Sequence, residues 1–340
     1  MNATPGRQDK AGFEMRIVLC YPQKKHYIDQ VLQVAPAADV VEASQEEIPQ
    51  EILNADIFCG HAKVHPLPWK DVVQQGRLRW IQSSAAGLDH CLTDPVIHSN
   101  IVVTSASGLF ADQVAEQTLA LLMGVLRSLP AFFVAATRRE FLRLPTRDLR
   151  GLTVGIVGLG GNGRRVAQVL APWKVRILAT DMFPDDKPAE VAELYPAEQL
   201  DTLLAASDIV VLCVPLNSQT RGLMNAARFA RMRPNSIVIN VARGQVVVER
   251  DLVDALESGH LYGAGLDVTE VEPLPPESKL WELPRVIITP HVGAQSARRE
   301  DDTTDFFCEN LSRYLQGLPL WNVVDKNLGF PKPKDRYVRA

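Results

Sequence analysis

The sequence predicts two doubly wound α/β domains in tandem, each a parallel sheet covered by helices on both faces. Three observations predict it. Short apolar runs alternate with helix-like stretches from Met15 to Ser105, a rhythm that builds parallel sheets. The rhythm restarts at Thr153, where an apolar strand runs directly into Gly158-x-Gly160-x-x-Gly163. Three later strands then end near polar residues that packing alone does not require: Arg243, Glu272 and His291.

Composition is compatible with this reading. The 340 residues, 46% apolar and 22% charged, suit two domains of ordinary size with sizeable cores. A formal net charge of -4, with both signs interspersed, gives no expectation of nucleic-acid or membrane binding. Cys20, Cys59, Cys91, Cys213 and Cys308 are odd in number, lack CxxC spacing and lie partly in apolar runs, which reads as reduced, buried thiols. No tight His/Cys/Asp cluster suggests a metal. The N-terminal MNATPGRQDKAGFE lacks the apolar core of a signal peptide, so the cytoplasm is the expected location.

Taken in order, strands are expected at Met15–Cys20, Ala38–Val41, Ala55–Cys59, Leu78–Gln82 and Ile101–Ser105, with helical stretches such as Tyr27–Val34 and Pro68–Gln75 between them. A long helix follows from about Ala111 to Leu129. It sets Val114, Thr118, Leu121, Leu122 and Val125 on one stripe, with Pro130 past its end. Thr118 to Ala136 is apolar enough to be mistaken for a membrane span, but Arg127 and Pro130 interrupt it, and it reads as a buried helix. Six more strands are expected at Thr153–Val157, Val175–Thr180, Ile209–Val214, Ser236–Val241, Gly263–Val268 and Val286–Thr289. The helix Glu249–Ser258 stops at Gly259, and a last helix from about Ser296 to Gln316 places Phe307, Leu311 and Tyr314 on one face. The expected domains are residues 1–104, completed by 296–340, and residues 105–295.

The glycine turn carries the first chemistry. Gly158 makes a tight turn, Gly160 lets the backbone approach a pyrophosphate, and Gly163 lets helix and strand pack closely. Together with Gly161 and Asn162 they form the N-terminus of a helix, where free N–H groups favour phosphate. Asp181 ends the next strand, 18 positions after Gly163, and Met182-Phe183-Pro184 supplies no cation beside it. An acid there accepts the ribose hydroxyls and repels a 2′-phosphate, so NAD is expected rather than NADP. Cys213, Val214 and Pro215 either wall an adenine pocket or simply end a strand; both readings stand.

One cation, one or more carboxylates and one imidazole then emerge at strand ends: Arg243 after Val241-Ala242, Glu270 and Glu272 after Asp267, and His291 before Gly293. Hydride transfer to a 2-keto acid needs that inventory. A guanidinium holds and polarises the substrate. A histidine delivers the proton as hydride arrives. A carboxylate beside it orients the ring and keeps it protonated nearer neutrality.

These motifs, VGIVGLGGNG with Asp181, VPLNSQTRGLMN, NVARGQVV, GLDVTEVEPLP and TPHVGAQS, resemble in order those of the D-isomer-specific 2-hydroxyacid dehydrogenase family, over roughly Gly87 to Gly293. The resemblance implies a Rossmann NAD-binding domain and a flavodoxin-like substrate domain, with Arg243 binding substrate. It picks Glu272, before Pro273, over Glu270 as the partner of His291. It also implies that the amides of Ala86 and Gly87 hold the substrate carboxylate, that Val241, Ala242, Asp267 and Gly293 border the cofactor, and that the protein dimerises through its NAD-binding domain. Hydroxypyruvate or glyoxylate reduction is the first expectation, with phosphoglycerate and bulkier acids as alternatives. Formate dehydrogenase, a relative, is disfavoured because it has an amide where Glu272 stands. Gly161-Asn162 inside the turn and Ala294-Gln295-Ser296 after Gly293 depart from the family without removing a functional group. The loop Gly60-His61-Ala62-Lys63 matches no substrate subgroup; His61 or Lys63 either meets a polar substrate or is solvated. The rival reading is a dehydrogenase-like NAD sensor or corepressor that binds the cofactor and a partner with little turnover.

Overall fold

Short runs of three to six residues, most of them apolar, form the strands of two parallel sheets. The computed structural model describes residues 15–21, 24–62 and 67–337. The chain divides into two units, one comprising Met1–Leu109 with Ser296–Ala340 and the other Phe110–Gln295.

The first unit runs β1 (Arg16–Cys20), α1 (Lys25–Val34), β2 (Asp39–Glu42), α2 (Ile48–Glu51), β3 (Ile57–Gly60), α3 (Trp69–Gln75), β4 (Trp80–Ser83), α4 (Asp94–Ile97) and β5 (Val102–Thr104). The strands lie in the order β2-β1-β3-β4-β5, all parallel, which is the flavodoxin-like order. Strands buried on both faces need no polar alternation, and β3 and β4 are buried at every residue.

The second unit runs α5 (Ala111–Leu126), α6 (Leu129–Thr137), β6 (Thr153–Val157), α7 (Gly161–Leu170), β7 (Arg176–Asp181), β8 (Glu193–Pro196), α8 (Leu200–Ala206), β9 (Ile209–Leu212), α9 (Ala226–Arg231), β10 (Ser236–Asn240), α10 (Glu249–Glu257), β11 (Leu261–Leu266) and β12 (Val286–Ile288). Its parallel sheet is ordered β12-β11-β10-β9-β6-β7-β8. Strand order reverses between β6 and β9, and ligands of open α/β sheets bind at the carboxyl ends of strands beside such a reversal. One face is covered by Leu121, Leu122 and Val125 of α5 with Val166 and Leu170 of α7. The other carries Leu203, Phe229, Leu252 and Leu256 from α8, α9 and α10.

Two expectations are corrected. The apolar stretch after Ala111 is not one buried helix to Leu129. It breaks at Ser128, which has φ 54°, and Pro130 then opens α6 instead of merely following a helix end. The two helices bend by 70°, and no single helix among the described residues is long and apolar enough to cross a membrane. The second sheet also has a seventh strand, β8, at its edge.

The last helix, α11 (Arg299–Leu315), belongs to the first unit. Its Phe307 and Leu311 pack with Val31 of α1 on Ile17, Ile57 and Trp80. Asn310 Nδ2 donates to Gln82 Oε1 at 3.0 Å, and Thr104 Oγ1 donates to the same oxygen at 2.8 Å. Trp80 Nε1 donates to Thr104 Oγ1 at 2.7 Å, so the helix is tied to β4 and β5 by a buried, internally satisfied polar network.

Candidate active site

The turn after β6 has three glycines with three different surroundings. Gly158 adopts φ 93°, and a Cβ there would lie 2.9 Å from Val214 Cγ1. At Gly160 a Cβ would meet nothing within 4 Å, so the space beside the turn is open for a ligand. At Gly163 a Cβ would collide with the carbonyl oxygen of Gly158, which explains the close seat of α7 on β6. Gly161, Asn162 and Gly163 open α7, whose first amides have no partner one turn back. Asp181, closing β7, accepts Leu159 N at 2.7 Å and Phe183 N at 2.9 Å. Its carboxylate is thereby fixed beside the turn. Arg164, the first cation after the glycine turn, is paired with Asp186. Cys213, Val214 and Pro215 are half-buried at the end of β9, and burial pushes the Cys213 thiol up to about 12, leaving it neutral. This arrangement fits a dinucleotide.

Arg243 leaves β10 on a turn built by Asn240, whose Oδ1 accepts Ala242 N at 3.0 Å and whose Nδ2 donates to Arg243 O at 3.1 Å. Arg243 Nη1 donates to Ala242 O at 2.8 Å. Any side chain at Gly244 would collide with the Thr269 carbonyl, so the turns after β10 and β11 are pressed together. The turn after β11 presents Glu272, whose Oε1 accepts Thr269 N at 3.2 Å; the Glu272–Pro273 peptide is cis. Glu272 Oε2 meets His291 Nδ1 at 2.8 Å, with the two side chains 39% and 44% exposed and so open to a substrate.

Burial alone raises the Glu272 carboxyl. The hydrogen bond and charge of His291, the Thr269 amide and the charge of Arg243 outweigh it and hold the group below the usual carboxylate range. Glu272 is therefore ionised, Nδ1 of His291 carries the proton shared with it, and Nε2 is the nitrogen available to a reactant.

Asp267 is 3% exposed and follows β11. Its oxygens accept Val292 N at 3.0 Å, Gly293 N at 2.8 Å and Thr289 Oγ1 at 2.7 Å. Asn240, Thr289 and Gln117, which touches both Thr289 and Asp267, are site residues that strand-end reading missed. The signal for Asn240 was a buried amide closing an otherwise apolar strand.

In the first unit, the turn after β4 is shaped by Ser83, whose Oγ accepts Ala85 N at 3.1 Å. Ala86 is exposed and Gly87 half-buried. Arg299 Nη2 donates to Ser84 O at 3.3 Å. His61 is half-buried, and its ring stacks on His90 with centroids 3.9 Å apart. Lys63 lies outside the described residues.

Residues 119–293 match the family model of the D-isomer specific 2-hydroxyacid dehydrogenase, NAD binding domain. The chain belongs to that family.

Among similar proteins, a D-3-phosphoglycerate dehydrogenase of Archaeoglobus fulgidus is 30% identical over 330 residues, 94% of this chain and 61% of that one. A glyoxylate/hydroxypyruvate reductase A of Photorhabdus laumondii is 34% identical over 218 residues, 64% of this chain and 69% of that one. This 2-hydroxyacid dehydrogenase is also similar in structure to an NADPH-dependent glyoxylate/hydroxypyruvate reductase of Sinorhizobium meliloti, solved with NADP and sulfate. That likeness has a TM-score of 0.77 and 30% identity, covering 93% of this chain and 100% of the other. At the level of the family the protein is a nicotinamide-dependent oxidoreductase of 2-hydroxy acids.

Proposed function

We propose that the protein reduces a small 2-keto acid, hydroxypyruvate or glyoxylate, to the D-2-hydroxy acid with NADH. The observation that carries this reading is the 2.8 Å contact between Glu272 and His291 beside Arg243. When bound, the nicotinamide supplies the hydride. Arg243 holds the keto acid and draws electron density toward its carbonyl oxygen. His291 Nε2 gives its proton to that oxygen, and Glu272 stabilises the imidazolium and fixes which nitrogen faces the reactant. His291 then regains a proton from solvent. The Asp267 carboxylate, accepting the amides of Val292 and Gly293, holds the loop that carries His291. The likeness to two glyoxylate/hydroxypyruvate reductases supports the substrate class.

The preference for NADH rests on Asp181 and on the pairing of Arg164 with Asp186. It separates this chain from the Sinorhizobium enzyme named for NADPH. A homodimer through the second unit is supported by α6 and the segment after it, where Phe133, Val134, Phe141, Leu142 and Leu144 are exposed; Phe141 is 90% exposed. Apolar patches of this kind mark contact surfaces.

Steady-state reduction of glyoxylate, hydroxypyruvate, pyruvate, phenylpyruvate and 2-ketoglutarate, each with NADH and with NADPH, tests the reading. It predicts the highest kcat/KM for the first two acids with NADH. Preference for phenylpyruvate, 2-ketoglutarate or NADPH overturns the corresponding assignment.

A further inference from the structure

We infer that Gln117, on α5, is a positioning residue that braces the loop carrying His291; the inference rests on the proton-transfer role proposed for His291. The inward stripe of α5 consists of Val114, Thr118, Leu121, Leu122 and Val125, all buried. Gln117 lies three residues after Val114 and four before Leu121, so the helical repeat turns it toward the sheet. An apolar side chain is the usual occupant of such a position, yet this amide is half-buried there.

What it meets is polar. Gln117 Nε2 donates to Thr289 Oγ1 at 2.7 Å and lies 3.5 Å from Asp267 Oδ1. A hydroxyl has one proton. By occupying the acceptor side of Thr289, the amide directs that proton to Asp267 Oδ1, 2.7 Å away. Asp267 in turn accepts the amides of Val292 and Gly293, and its carbonyl accepts His291 N at 2.7 Å. These bonds bracket His291, which sits at φ 53°, a conformation that residues with a Cβ seldom adopt. The chain of contacts therefore runs from Gln117 through Thr289 and Asp267 to the backbone of His291.

The helix can reach the loop because β11 carries Gly265 where α5 crosses it. A Cβ at that position would lie 2.8 Å from Leu121 Cβ and force the helix outward. A buried carboxylate needs donors on both oxygens to offset the hydrogen bonds it loses to water. Gln117 supplies one of them through Thr289, from an element 150 residues away from Asp267 in sequence. Asp267 is the carboxylate within reach of the amide. On α5 itself, Asp112 is paired with Arg165 and Glu116 is exposed.

The test compares full-length wild type, Gln117→Leu, Gln117→Glu and His291→Ala with hydroxypyruvate and NADH, recording kcat, both KM values, the pH profile and the thermal midpoint. Gln117→Leu removes the donor but keeps a helix-forming side chain, and kcat is expected to fall by up to about a hundredfold, the cost of a displaced reacting group, with KM for NADH unchanged. Gln117→Glu retains a donor while the new carboxyl is protonated. Once ionised it repels Asp267. Its kcat is therefore expected near wild type at the acid end and at the Leu variant's level at the alkaline end, an added limb that a loss of packing does not produce. Wild-type kcat and pH profile in both variants would overturn the inference, as would losses that follow the thermal midpoint alone without any change of profile. His291→Ala separates the two levels: if it keeps turnover, both the proton-transfer reading and this inference fail. If it abolishes turnover while the Gln117 variants behave as wild type, this inference alone fails.

Discussion

Glu272 Oε2 lies 2.8 Å from His291 Nδ1, although 19 residues separate them and they follow different strands of the same sheet. The contact fixes one nitrogen of the ring and leaves the other to a reactant. Replacing Glu272 by Gln keeps a hydrogen bond of similar length but removes the charge that stabilises the imidazolium. The expected loss in kcat/KM is about a hundredfold, the lower range of general acid–base contributions, measured in the 2-keto acid reduction assay.

The pH dependence of this pair has a definite sign. The Glu272 carboxyl is held below its ordinary value of 4.5, so it stays ionised while an unfolded glutamate takes up a proton. The contact therefore contributes fully above the unfolded value and is lost only as pH falls through the lower folded one. Activity measured with brief exposure to acid should show no limb from Glu272 between neutrality and 4.5. An acid limb that appears above 4.5 in wild type and disappears in the Gln variant would contradict this.

Gly160 and Gly163 separate binding from folding. Gly160→Ala points a methyl group into open space, so its thermal midpoint should match wild type while KM for NADH rises about tenfold or more. Gly163→Ala drives a methyl group into the Gly158 carbonyl oxygen. Strain of about 1–3 kcal/mol lowers the melting temperature by roughly 2–12 °C for a domain of this size. Differential scanning fluorimetry beside NADH titration distinguishes the two.

The proposed preference for NADH over NADPH rests on Asp181. Asp181→Ala removes the acceptor for the ribose hydroxyls, and a charge-assisted hydrogen bond of about 1.5–3 kcal/mol corresponds to a rise in KM for NADH of roughly 10- to 100-fold. Adding Met182→Arg should bring NADPH into use. Unchanged cofactor ratios in the double variant would remove Asp181 from this role.

The exposed apolar segment predicts assembly. Phe133→Asp with Phe141→Asp should convert a dimer into a monomer in sedimentation velocity runs without a loss of helical signal. A wild type that sediments as a monomer would contradict the proposed interface.

The strands that position the site were legible because each is an apolar run, buried in β10 and β11 and half-buried in β12, with polar residues just beyond its end. Arg243, Glu272 and His291 each stand within a few residues of such an end, and the structure sets the latter two in contact. β8 was not legible. Its residues Glu193 and Tyr195 bond to each other, Glu193 also binds Arg176, and the strand is half-buried at the sheet edge, where charge replaces the apolar signal. The break at Ser128 was hidden because Pro130 serves equally at a helix end and at a helix start. The brace through Gln117 and Thr289 was invisible for a different reason: its members lie 172 residues apart, and only packing brings them together.

The most direct test of the central claim is NADH oxidation with hydroxypyruvate by wild type and by His291→Ala, with NADH binding measured separately for both. The predicted result is turnover by wild type, a fall of at least about a hundredfold in the variant, and equal NADH binding. No turnover by wild type with any small 2-keto acid despite tight NADH binding would contradict the account, as would full activity in the variant.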